Sequence, residues 1–262
     1  MAVAGERLGW TASLPSLLEG RLAFVTGAGR GMGRSLALGL ARTGARVIAT
    51  DIDAGTASET AELIRQAGGT AWSFGLDITS AEACNELAQR VGQEIGTVDL
   101  LVNNAAVNIR HTMSSPQAPE TWRTTTGVII NGTFNVTHAF LPAVKASRGC
   151  IINMASTSSF VTVPAVGYAP SKGAIKMFTQ SLAVELAPAG VRVNALAPGL
   201  MDTPMTTVIR GDPARLATYL ERVPMGRAGH ADEIVGAAVF LASDMASYIT
   251  GVTLPVDGGF LA

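Results

Sequence analysis

Short runs of β-branched and other apolar residues alternate along the chain with longer stretches in which apolar positions recur every three or four residues. The short runs lie at 22–26, 46–50, 71–76, 100–103, 150–153, 191–196 and 252–256. Apolar on both faces, each predicts a strand buried between two layers, the habit of a parallel sheet. The stretches between them predict helices at 33–42, 54–66, 81–95, 118–145, 168–187 and 232–241. Strand and helix alternate from end to end, which places the chain in the α/β class. It is read as a single domain over 20–262, a doubly wound parallel sheet of about seven strands with helices on both faces.

Two stretches stand outside that rhythm. Residues 1–19 read as an N-terminal extension, either an arm or a strap against a partner subunit. Glu6, Arg7, Pro15 and Glu19 interrupt its apolar runs, so no signal peptide is expected. Between the strand at 191–196 and the helix at 232–241 lies a connection carrying Pro198, Gly199, Pro204, Gly211, Pro213, Pro224, Gly226 and Gly229. A connection that long in a compact domain predicts a substrate loop or lid, at about 200–230.

Composition narrows the function classes. With 48% hydrophobic and 15% charged residues the chain has a large core for its surface, which excludes disorder. A net charge of -1 leaves no basic field for nucleic acid or anionic lipid. No run reaches the ~18 apolar residues of a membrane span. A cytoplasmic protein is expected, with neither nucleic acid nor membrane as partner. Cys84 and Cys150 lack metal-ligand spacing and read as buried thiols in a reducing compartment; no metal site is expected.

The first strand runs directly into Thr26-Gly27-Ala28-Gly29-Arg30-Gly31-Met32-Gly33 and then into a helix. Such a turn lets backbone approach a pyrophosphate, whose charge sits against unpaired N–H groups and the helix dipole. Asp51, at the end of the second strand, can accept hydrogen bonds from both hydroxyls of an adenosine ribose and would repel a 2′-phosphate, which favours NAD over NADP. Arg30 is the counter-signal, because a guanidinium there could receive that phosphate. Asp77 and Asn104 follow the third and fourth strands and are placed on the adenine and ribose side of the same crevice.

Tyr168 and Lys172 stand four apart at the start of a predicted helix and share a face. An ammonium beside a phenol favours phenolate and is expected to lower the tyrosine pKa from its usual ~10. Tyr168 is therefore the candidate acid/base for a carbonyl or alcohol oxygen. The hydroxyl of Ser156, after the preceding strand, could bond the same oxygen at the carboxyl edge of the sheet.

These pieces resemble the short-chain dehydrogenase/reductase family from about Leu18 to the C-terminus. The matching motifs are the Thr-Gly-x-x-x-Gly-x-Gly turn at 26–33, Asn103-Asn104-Ala105, Ser156, Tyr168-x-x-x-Lys172, Pro198-Gly199 and Val256-Asp257-Gly258-Gly259. The resemblance implies a Rossmann fold in which Tyr168 exchanges the proton, Ser156 orients the substrate oxygen, and Lys172 binds the nicotinamide ribose and lowers the tyrosine pKa. It implies a cofactor crevice lined by Gly27, Gly29, Arg30, Gly31, Met32, Asp51, Ile52, Asp77, Ile78, Asn104, Ala105, Tyr168, Lys172, Pro198, Gly199, Met201 and Thr203. The loop through Met201 and Thr203 would hold the carboxamide and fold over the substrate. A homotetramer is implied too, with the C-terminal Gly258-Gly259-Phe260-Leu261 at one interface. The helices at 118–145 and from 168 support subunit pairing, since Phe134, Phe140, Ile175, Met177, Phe178 and Leu182 make them apolar on more than one side.

Three positions depart from the family pattern. Members usually carry an active-site asparagine seven residues beyond a tryptophan and three before Gly-x-Phe, and counting from Trp122 and from Gly132 both arrive at Ile129. Asn131 falls about 200° round the helix from it. Without the amide, a backbone carbonyl freed by a local helix distortion could still hold the relay water, and a slower or more pH-sensitive enzyme is expected. Ala106 stands where glycine is usual, and the interval from Ser156 to Tyr168 is one residue short.

The expected function is hydride transfer between NAD(H) and a small secondary alcohol or polyol, or its ketone. The alternatives are an NADPH-linked ketone reductase of 3-oxoacyl type and a cofactor-binding member that turns over little because of Ile129. Candidate pocket residues are Asn108, Arg110, His111, Val163, Met201, Met205 and Tyr219.

Overall fold

The structure, a computed structural model, describes residues 16–161 and 165–262. Residues 1–15 of the expected extension, and Val163, lie outside the described residues. Leu18, also assigned to the extension, is 1% exposed and donates its N–H to the Thr43 carbonyl, so the packed domain begins before residue 20.

Seven strands form one parallel sheet: β1 (Leu22–Thr26), β2 (Arg46–Asp51), β3 (Ala71–Gly75), β4 (Leu100–Asn103), β5 (Cys150–Met154), β6 (Arg192–Pro198) and β9 (Thr253–Val256). Their order is β3-β2-β1-β4-β5-β6-β9, with every neighbouring pair parallel. Alternate residues of each central strand enter opposite layers, which is why the runs are apolar without a break. Val25, Val102 and Ile152 pack with Leu36 and Leu40 of α1 (Gly31–Arg42) and with Ile234 and Val239 of α9 (Ile234–Ala242). Phe24, Leu101 and Ile151 face the other way, against Val91 of α3 (Ala81–Glu94) and Val136, Phe140 and Val144 of α5 (Thr133–Ser147). Between β2 and β3 runs α2 (Ala54–Gln66), whose first turn is capped by the Asp53 carboxylate.

The predicted helix at 118–145 is divided. It runs as α4 (Ala118–Thr126), opens into a π turn over Gly127–Gly132, and resumes as α5. The backbone around Ile129 thus leaves regular α-helical geometry. A buried polar ladder ties α5 to the sheet: Asn103 Nδ2 donates to Thr137 Oγ1 at 3.0 Å and to Asn153 Oδ1 at 2.9 Å. Asn153 Nδ2 in turn donates to Thr179 Oγ1 at 2.9 Å, on α6 (Tyr168–Leu186). Each rung joins two buried side chains, so the ladder sets the positions of both helices under the crevice.

The long connection, the expected lid, is itself folded. At its base β7 (Met201–Asp202) and β8 (Gly229–His230) pair in parallel, and between them lie α7 (Thr207–Arg210) and α8 (Pro213–Leu220).

Candidate active site

Consecutive connections leave β1 and β4 in opposite directions, so a crevice opens between their carboxyl ends. The turn after β1 fills its rim with backbone. Gly27 and Gly31 have φ of +62° and +54°, which side chains rarely adopt. A Cβ at Gly33 would collide with the Gly27 carbonyl, and one at Gly29 with the Thr56 hydroxyl. The turn is pinned from two sides: Gly29 N–H donates to Asp51 Oδ2 at 3.0 Å, and Asn104 Nδ2 donates to the Thr26 and Gly27 carbonyls. Arg30 precedes α1 without capping it by its side chain, so the first-turn N–H groups face outward as donors for an anion. These groups fit a dinucleotide pyrophosphate.

The other expected crevice residues divide. Arg30, Asp77 and Ile52 are exposed beside the strand ends, Ile52 at 75%. Ala105 donates its N–H to Thr26 Oγ1, and Gly199 donates to the Val256 carbonyl, so both strand-end turns are held from neighbouring strands. Met32 is partly buried against the α1–α9 core. Ile78 is buried, under the position where Gly132 passes, and Met201 turns its sulfur beneath Gly229 of the β7–β8 pair. The side chains of these last two thus serve packing, leaving only backbone near the rim. Thr203 and Pro204 pack over Gly31, which brings the root of the lid against the turn.

The chemical groups meet at the end of β5. Ser156, buried, accepts the Ser158 N–H at 3.0 Å, and its hydroxyl faces the Tyr168 phenol. Lys172, on the same face of α6, has its Nζ 5.7 Å from the Tyr168 ring centre and donates to the Met154 carbonyl at 2.6 Å. Ser159 Oγ donates to the Lys172 carbonyl at 2.7 Å, tying the short turn Thr157–Ser159 to α6.

The expected direction of the tyrosine shift needs correction. Burial raises the Tyr168 pKa; the Ser156 hydroxyl and the Arg110 charge offset this only in part. Lys172 itself is lowered to about 7 by burial. The low-dielectric site disfavours both charges, phenolate and ammonium alike, and no lysine contribution drives the phenol down.

The residues expected on the substrate side are held in different ways. Arg110 lies close enough for its charge to act on the Tyr168 phenol, and it takes part in no salt bridge among the described residues. Asn108 Oδ1 is buried without a partner among the described residues. His111 is occupied: its Nδ1 bonds Thr121 Oγ1 at 2.6 Å and its carbonyl accepts the Val166 N–H at 3.1 Å, which holds this loop beside the start of α6. Ile129 is 1% exposed, packed with Ala155 and Ile175 next to Tyr168, and so fills with hydrocarbon the place expected for an amide. Met205 is exposed on the lid. Tyr219 stacks on Phe260, with ring centroids 4.8 Å apart at 10°. Sequence reasoning missed Thr157, which faces the Tyr219 hydroxyl, and the packing of Phe260 on the Tyr219 ring. Their partners lie far away in sequence, so no local signal marks them.

Comparison with known proteins accords with this geometry. The family model described as Enoyl-(Acyl carrier protein) reductase matches residues 27–261. A 2-dehydro-3-deoxy-D-gluconate 5-dehydrogenase of Bacillus subtilis is 41% identical over 249 residues, covering 94% of this chain and 96% of that protein. The chain belongs to the short-chain dehydrogenase/reductase family. Among its other relatives in the family is a galactitol 2-dehydrogenase (L-tagatose-forming) of Cereibacter sphaeroides, 41% identical over 248 residues, covering 93% and 96% of the two chains. A crystal structure of a gluconate 5-dehydrogenase from Burkholderia cenocepacia, in complex with NADP and tartrate, superposes with a TM-score of 0.90 at 35% identity, covering 93% of this chain and 96% of that one. Family membership accounts for the match between the order of motifs along the chain and the order of groups around the crevice.

Proposed function

We propose that this family member is an NAD(P)-dependent oxidoreductase that interconverts a secondary alcohol of a small polyol or sugar acid with its ketone. The observation that carries the reading is the meeting of the Ser156 hydroxyl and the Tyr168 phenol at the sheet edge, with Lys172 one helical turn along, next to the glycine turn. The backbone of Gly27, Gly29, Arg30, Gly31 and Met32 would hold the pyrophosphate, with Asp51, Ile52, Asp77, Ile78, Asn104 and Ala105 along the adenosine side and Pro198, Gly199, Met201 and Thr203 along the nicotinamide side. When bound, the dinucleotide supplies the carbon that gives or takes the hydride.

The chain's own groups do the rest. Ser156 holds the substrate oxygen by donating a hydrogen bond. Tyr168, kept protonated by burial, donates its proton to a ketone oxygen and recovers it from an alcohol in the reverse direction. Lys172 carries charge toward the cofactor side when it is protonated. The π turn loosens backbone bonding around Ile129, the condition for a carbonyl to hold water where the family's asparagine side chain is missing.

Arg110 beside the phenol favours a substrate with a carboxylate near the reacting carbon, and the Asn108 amide oxygen, without a partner among the described residues, favours a further hydroxyl donor. Asp51 favours NAD, because its carboxylate is fixed by Gly29 and Asp53 N–H groups where a 2′-phosphate would lie; the NADP bound in the Burkholderia relative makes NADP the competing cofactor to measure. Phe140, Ile175 and Leu182 are buried inside the chain, while Phe134 on α5 and Met177 on α6 remain 52% and 63% exposed. That pair favours a homotetramer joined through α5 and α6, and the buried free thiols of Cys84 and Cys150 accord with the cytoplasm.

The test is a steady-state assay with NAD and NADP against gluconate, 2-dehydro-3-deoxygluconate, galactitol and a 3-oxoacyl thioester. Turnover with a sugar acid or polyol is expected. Dinucleotide binding without turnover across the panel would instead support the low-turnover reading that the buried Ile129 favours. Light scattering that returns a monomer would overturn the assembly.

A further inference from the structure

Tyr219 links the lid to the turn that carries Ser156. Tyr219 sits near the end of α8, and its hydroxyl faces the Thr157 side chain and the Leu200 backbone. Thr157 opens the short turn that begins just after Ser156, and the far end of that turn is tied to α6 by Ser159. The turn bearing Ser156 is thus held by the catalytic helix on one side and by the lid on the other.

The C-terminal segment supports this contact from behind. The Phe260 ring is buried and lies nearly parallel to Tyr219, at 4.8 Å and 10°, while the Arg222 guanidinium stands 4.4 Å from the same ring centre. Met225 N–H donates to the Gly258 carbonyl at 3.1 Å. A Cβ at Gly258 would press on Val223 and one at Gly259 on Pro224, so the two glycines let the tail lie flat against the lid's return segment. Asp257 closes the tail on itself by accepting the Gly259 and Leu261 N–H groups. Phe260, expected at a subunit interface, is buried inside its own chain.

We propose that Tyr219 is a positioning residue that acts through Thr157 to hold the Ser156 hydroxyl toward Tyr168, and that Phe260 is the latch that keeps Tyr219 and the lid in place. The inference rests on the oxidoreductase reading for its effect on turnover, whereas the latch is independent of it. Stacked rings of this kind contribute beyond the area they bury, and a small displacement of an orienting group costs rate steeply.

The experiment compares Tyr219→Phe, Phe260→Ala and Phe260→Trp in the full chain, with two readouts. The first is kcat and KM for the best substrate beside the dinucleotide Kd. The second is the rate of tryptic cleavage at Arg210, Arg215, Arg222 and Arg227, all on or beside the lid and readable without turnover. Tyr219→Phe keeps the stack, so lid cleavage should stay at the wild-type rate while kcat falls about tenfold and the dinucleotide Kd is unchanged. Phe260→Ala should speed cleavage and raise substrate KM, each about tenfold, with Phe260→Trp restoring both. Unaltered kcat and KM in Tyr219→Phe overturn the positioning role, and unaltered cleavage in Phe260→Ala overturns the latch. Wild-type protein with no turnover on any substrate would overturn the oxidoreductase reading and with it the positioning role, leaving the latch to be decided by cleavage.

Discussion

The two walls of the crevice are held by different kinds of interaction. On the dinucleotide wall, almost every contact that shapes the turn ends on backbone: Asp51 on the Gly29 N–H, Asn104 on the Thr26 and Gly27 carbonyls, the Ala28 N–H on the Thr50 carbonyl. On the substrate side, ties between side chains are added to those that end on backbone. His111 bonds Thr121, Tyr219 stacks on Phe260, and Arg210 pairs with Asp202 at 2.6 Å at the root of the lid. A backbone-held wall binds a group whose shape does not vary. A wall held by side chains can be refitted by substitution, which is how one scaffold serves many alcohols. Changes on the first wall should therefore alter whether cofactor binds, and changes on the second should alter which substrate reacts.

The sharpest test lies where the walls meet. Tyr168→Phe removes the proton-carrying atom and leaves both walls standing, so kcat should fall by about 10²–10⁴ with dinucleotide Kd unchanged in a fluorescence titration. A variant retaining full turnover would remove the phenol from the chemistry.

Next comes the backbone wall itself. Gly33→Ala forces a Cβ against the Gly27 carbonyl, an overpacking that costs about 1–3 kcal/mol and should displace the turn. Weakened dinucleotide binding and a lowered Tm are expected together; normal affinity would show that the turn tolerates a side chain.

Lys172 offers a pH-dependent test. Its pKa in the native chain is lowered to about 7, so above that pH the buried amine is neutral. An unfolded lysine keeps its proton to about 10.4. Between those values the unfolded state binds more protons, and native stability gained from this group rises with pH, by at most about 1.4 kcal/mol per unit. Below pH 7 both states are protonated and the burial cost is at its full value. Denaturant titrations of wild type and Lys172→Met should therefore diverge across pH 7 to 9, with wild type gaining; parallel curves would mean that the amine stays charged when buried.

The smaller effects separate the walls most cleanly. Arg110→Ala should raise KM about tenfold for a sugar acid and leave a neutral polyol nearly unaffected, as loss of a charge-assisted bond predicts. Asp51→Asn should shift the NADP-to-NAD affinity ratio about tenfold toward NADP with substrate preference unchanged. If either variant moved the other's readout, the two walls would be coupled.

Much of this was legible in the chain. All seven strands of the main sheet were placed within two residues; the central ones are covered on both faces and so must be apolar throughout, which is visible without coordinates. The Tyr168 and Lys172 pairing was legible for a similar reason: four residues on a helix is local geometry. The glycine turn was legible because its contacts tolerate no side chain.

What the sequence determined by itself, then, was whatever local backbone geometry and two-sided burial dictate: the sheet, the turn, and the shared face of α6. Tertiary structure alone decided the rest. The phenol's pKa rises and the ammonium's falls because packing by distant segments takes Lys172, and part of Tyr168, out of water, a property no four-residue spacing contains. Met201 and Ile78 turned inward, Phe260 met Tyr219, and Ile129 filled a hydrocarbon niche, since each contact joins residues far apart in the chain. Such contacts depend on which surfaces the packed layers bring together, and the order of residues does not display that.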